Sequence, residues 1–165
     1  MESAIWGLVG TIVGATASLL ATFLTNKHSA KLSAEARSEE RLERFREFQR
    51  ETLLELQAAI REVARTTFLI HLEDSKGCLA GKNWGEGFVP DQLAEEEGIA
   101  RGRVSIFAER VADESVRCIV KKIMSDVGIF MRATSKDEAD RALANITSGS
   151  ILTNELVGKV LRDTY

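Results

Sequence analysis

Ala4-Ile-Trp-Gly-Leu-Val-Gly-Thr-Ile-Val-Gly-Ala-Thr-Ala-Ser-Leu-Leu-Ala-Thr-Phe-Leu-Thr25 contains no charged side chain. Wound as an α-helix at about 1.5 Å per residue, it is roughly 33 Å long, against a bilayer hydrocarbon core of about 30 Å. A cleaved signal peptide would need a basic start and a shorter apolar core, and Met1-Glu2-Ser3 supplies no Lys or Arg. Thr11, Thr16, Ser18, Thr22 and Thr25 dilute the hydrophobicity and leave a buried core helix as an alternative, but a helix with no charged face is more at home in lipid than on a soluble bundle. The stretch therefore predicts a transmembrane helix, with residues 1–26 as N-terminal tail and span.

The flanks predict its orientation. No basic residue precedes the run, whereas Lys27, Lys31, Arg37, Arg41, Arg44, Arg46 and Arg50 follow it. An excess of Lys and Arg marks the cytoplasmic side, so the expectation is a single-pass protein of the cytoplasmic (inner) membrane. Its N-terminus lies outside and its C-terminal domain in the cytoplasm. Inside the span Gly10, Gly14, Ser18 and Thr22 recur every fourth residue and share one face. Lipid offers no hydrophobic drive between helices, so small side chains that let backbones approach favour association. A homo-oligomer in the bilayer is expected.

Beyond the span the chain predicts an all-α fold. Residues 27–50 carry charges of both signs, with Glu40–Arg44 at i+4 and Glu43–Arg46 and Glu47–Arg50 at i+3. Such pairs support an exposed juxtamembrane helix, a charged stalk, although Glu39–Glu43 and Arg46–Arg50 oppose it. Residues 51–165 are long enough for one compact domain. Leu56, Ile60, Val63, Thr67 and Ile70 step by 4, 3, 4 and 3, the seam of an antiparallel bundle of three to four helices.

Gly77, Gly81, Gly85, Gly87 and Pro90 predict a loop over 74–90. Its Leu79, Trp84, Phe88 and Val89 either cap the bundle or form a partner surface, with Trp84 and Phe88 as its anchors. Helix resumes at Asp91, and the stripe Val104, Phe107, Ala108 and Val111 faces inward. Asp113 is placed to cap a third helix, and Ser135 with Glu138 forms a capping box for a fourth.

Catalytic chemistry finds little footing. His28 and His71 lack a second ligand at metal-site spacing, so no metal or cofactor is expected. Cys78 and Cys118 match no redox or zinc spacing, and Cys118 is read as a small core residue among Val116, Ile119 and Val120. Glu95-Glu96-Glu97 reads as a solvated helix start. No phosphate-binding, nucleophile-elbow or dinucleotide motif occurs. A net charge of −3 argues against a nucleic-acid partner.

Arg110-Val-Ala-Asp-Glu-Ser-Val-Arg117 and Asn154-Glu-Leu-Val-Gly-Lys-Val-Leu-Arg162, behind a charged juxtamembrane helix, resemble small single-span helical proteins of actinobacteria and their phages. The resemblance covers the last third of the chain. The resemblance implies a membrane-tethered helical bundle and transfers no functional residue.

The function expected is a non-enzymatic, membrane-tethered interaction or scaffolding module whose partners are the lipid bilayer, further copies of itself and an unidentified protein. The alternative is a membrane-active effector whose spans oligomerise into a pore under control of the bundle.

Overall fold

The computed structural model describes residues 2–87 and 89–163, except that the side chains of residues 2–9, 11–13 and 17 are outside the description. Four helices follow one another: α1 (Glu2–Leu79), α2 (Asp91–Arg110), α3 (Glu114–Phe130) and α4 (Lys136–Asp163). Among the described residues there is no strand. The chain divides into two compact units, Met1–Phe45 and Arg46–Tyr165.

Within Arg46–Tyr165 the polar contacts fix the helix directions. Gln49 bonds Arg110 O and Ala112 N, Arg103 pairs with Glu55, and Arg65 with Glu96, so α2 descends as α1 ascends. Gln57 bonds Asn154, and His71 bonds Asp140, so α4 also runs antiparallel to α1. Short connections at 111–113 and 131–135 turn α3 back on both neighbours. The result is an up-down-up-down four-helix bundle.

Leu56, Ile60, Val63 and Ile70 are buried, as is Thr67. They meet Ala100 and Val104 of α2, Val116, Val120, Ile123 and Val127 of α3, and Ala142, Ile146 and Val157 of α4 in one core.

The helix ends are set by local chemistry. Asp113 accepts from Val116 N at 2.9 Å and starts α3. Ser135 accepts from Glu138 N at 3.3 Å, but the Glu138 carboxylate reaches back to Thr134 N rather than to the capping residue itself. The expected loop over 74–90 begins later: α1 continues through Gly77 to Leu79. There Gly81 and Gly85, at φ of 84° and 79°, supply the left-handed turns that end the helix and carry the chain back.

Two other expectations are corrected. Glu97 is 2 % exposed rather than solvated, because it shares one face of α2 with Ala100, Val104 and Ala108. Cys118 is exposed rather than in the core, since Val116 and Val120 on either side point inward.

In the unit Met1–Phe45, the side chains of Leu19, Leu20, Phe23 and Leu24 are 63–70 % exposed. Thr22 and Thr25 donate their hydroxyls to Ser18 O and Ala21 O, both at 2.9 Å. Among the described residues no helix is long and apolar enough to cross a membrane. The expected span takes in residues 4–9, 11–13 and 17, and for these side chains the expectation lies outside the described residues.

Candidate functional site

The densest polar arrangement in the bundle gathers at the C-terminal end of α1. The 3-4 spacing of the seam, carried on from Thr67 and Ile70, places His71 and Asp74 on the buried side of the helix. His71 is 9 % exposed and Asp74 8 %. His71 Nε2 lies 2.5 Å from Asp140 Oδ1 at the start of α4, and its Nδ1 lies 3.5 Å from Ser75 Oγ, one turn along α1. The ring is flanked by Trp84 from the loop, with centroids 5.2 Å apart, and by Phe130 from the end of α3, at 6.2 Å. One imidazole thus touches three helices and the α1–α2 loop.

The charges around it are unequally solvated. Lys136 bonds Asp140 at 2.6 Å, and together with His71 it holds that carboxyl below its ordinary value. Burial pushes the Asp74 carboxyl up instead, against the opposing pull of the Gly87 N–H and of His71. Asp74 Oδ1 has no hydrogen-bond partner among the described residues. It lies against Gly87, where a Cβ would come within 2.6 Å of it, so only glycine lets the loop close this tightly.

Ser75, His71 and Asp140 form the serine–histidine–carboxylate order of hydrolases, and the geometry says what they can do. Ser75 sits inside α1, where the surrounding N–H groups are engaged in the helix, so no pair of backbone donors converges beside its hydroxyl to hold an oxyanion. The imidazole is in tilted contact with two aromatic rings. Chemically the arrangement is a clasp: a charge-assisted bond and two ring contacts fasten the loop, the end of α3 and the start of α4 to α1.

The sequence-derived residues are placed as follows. Trp84 is half-buried on His71 and packs against the core, and Phe88 lies outside the described residues. Gly10, Gly14, Ser18 and Thr22 are exposed on their helix, with nothing within 4 Å of a Cβ built at either glycine. Among the described residues no group of three His, Cys, Asp or Glu side chains could hold a metal ion.

Sequence reading missed the clasp because its partners, His71 and Asp140, are sixty-nine residues apart. The usable signal was the seam itself, since a step of four from Thr67 and from Ile70 falls on His71 and Asp74. No family model, no curated protein and no solved structure matches this chain.

Proposed function

We propose that this chain is a non-enzymatic, membrane-tethered helical module, anchored through residues 4–25, that self-associates and presents its bundle in the cytoplasm as a scaffold. One observation carries the reading. Leu19, Leu20, Phe23 and Leu24 are exposed along one side of their helix with no charged side chain among them, a surface costly in water and at home in lipid. The hydroxyls of Thr22 and Thr25 fit the same setting, since each is satisfied by a carbonyl of its own helix and needs no water. The basic residues from Lys27 onward favour the cytoplasmic side for the bundle. The His71 clasp, whose polar and ring contacts fasten the loop and helices together, supports a structural role for the bundle.

A C-terminal reporter that works only in the cytoplasm should be active, and one that works only after export silent; the reverse pattern overturns the orientation. Overexpression should leave the membrane sealed. Depolarisation or dye entry that Gly14→Ile abolishes would replace the scaffold with the pore-forming effector.

A further inference from the structure

The charges of the helix just beyond the proposed anchor are sorted by side. At about 100° per residue, Lys27, Lys31, Arg37, Arg41 and Arg44 fall within one sector of roughly 140°. Glu35, Glu39, Glu40 and Glu43 fall within the opposite sector of about the same width. Between Lys27 and Phe45 no acid lies among the bases and no Lys or Arg among the acids.

Where the two sectors meet, the charges satisfy each other within the helix. Lys31 pairs with Glu35 at 3.8 Å along one boundary, and Arg44 with Glu40 along the other. The charges at the centres of the faces are left over. Lys27, Arg37, Arg41, Glu39 and Glu43 form no ion pair among the described residues. Each face also carries an apolar side chain at its centre: Phe45, 53 % exposed, among the bases, and Leu32, 52 % exposed, among the acids.

We infer that residues 27–45 are a two-sided contact through which copies of this chain pack head to tail, the basic face of one on the acidic face of the next. The inference rests on the tethered, self-associating reading proposed above, because a shared membrane anchor holds all copies in one orientation. In that orientation a two-fold contact centred on either face sets like charge on like. A two-fold contact centred on a boundary covers pairs that are already satisfied and leaves the central charges unused. Only face on face do the unpaired Arg37 and Arg41 of one copy come level with the unpaired Glu39 and Glu43 of the next, within about 3 Å along the helix axis. Such a contact is heterologous, so it builds a ring or a row rather than a closed pair.

A lipid surface fits the basic face less well. Measured along the helix, Arg37 to Arg44 lie roughly 18 to 28 Å past Thr25. That is beyond the Debye length of about 8 Å over which an anionic bilayer acts.

The test counts copies of the full chain, fused at its C-terminus to a fluorescent protein, by photobleaching steps in vesicles of neutral and of anionic lipid. The parent should show assemblies of more than two copies in both lipids, fewer in 0.5 M NaCl. The variant Arg37→Glu/Arg41→Glu/Arg44→Glu reverses the charge of the basic face over 37–44, and Glu35→Lys/Glu39→Lys/Glu43→Lys reverses three of the four charges of the acidic face. Each alone should lose assemblies by about tenfold, and an equal mixture should regain them.

Several results would overturn the inference: single-faced variants that assemble like the parent, a strict dimer, or assembly only on anionic lipid. If the charge variants assemble normally and Gly14→Ile does not, association resides in the anchor; the scaffold reading then stands and the charged contact falls. A parent that is monomeric throughout removes both.

Discussion

Glu97 is a carboxylate held almost wholly out of water, with Arg101 at 3.2 Å from one oxygen and, among the described residues, no hydrogen-bond partner on the other. Burial pushes its carboxyl above the ordinary 4.5, and Arg101 only partly opposes this. The folded chain therefore binds this proton more tightly than the unfolded chain. Its stabilising contribution is full below about pH 4.5 and is lost as pH rises through the raised value. Asp74 acts in the same direction and Asp140 in the opposite one, since its lowered carboxyl stabilises the fold above its ordinary range. Glu97→Gln should accordingly raise Tm at pH 7.5 and leave it unchanged or lower at pH 4, read by thermal melting monitored by circular dichroism. Arg101→Ala, which leaves the buried carboxylate unpaired, should lower Tm at pH 7.5. Equal effects of Glu97→Gln at both pH values would mean that the carboxyl is not desolvated. The three consecutive glutamates concealed this residue, because a run of one charge reads as a solvated face. The apolar spacing that ends in Ala100 and Val104 singles out Glu97 as the one pointing inward.

At the scale of the helices, glycine has two opposite meanings in this bundle. Gly149 lies where α4 crosses α3 most closely, and a Cβ there would meet Ile123 Cγ1 at 2.7 Å. Ile123 is fully buried and has little room to move. Gly149→Ala gains up to about 1 kcal/mol of helix propensity but overpacks the crossing by about 1–3 kcal/mol, for a net loss near 1 kcal/mol. Gly98 and Gly102 have open space around them, so alanine at each should stabilise α2 by about 0.5–1 kcal/mol. Differential melting of the three single variants should give one decrease and two increases of a few degrees each. A stabilising Gly149→Ala would mean that the α3–α4 crossing is looser than described.

The helices themselves were legible: the 3-4 stripes and the caps at Asp113 and Ser135 follow from side-chain spacing alone. The end of α1 was not. Gly77 reads as a helix breaker, yet it is a close-approach residue, where a Cβ would sit 3.1 Å from Gly87 Cα of the returning loop. That purpose belongs to tertiary structure and leaves no local mark.

For the whole molecule, the compact unit Arg46–Tyr165 supplies the core, and the unit Met1–Phe45 supplies an exposed helix that is apolar first and charged afterwards. The core was legible because burial writes itself into apolar periodicity. The His71 clasp was not, because it joins residues from distant parts of the chain. The proposed tether makes the sharpest demand on experiment. The measurement is the partition of the full chain between pellet and supernatant after an alkaline carbonate wash of membranes from expressing cells, beside a chain lacking residues 4–25. The full chain should stay in the pellet while the shortened chain, still helical and cooperatively melting, moves to the supernatant. A full chain released by the wash as readily as the shortened one would contradict the membrane anchor.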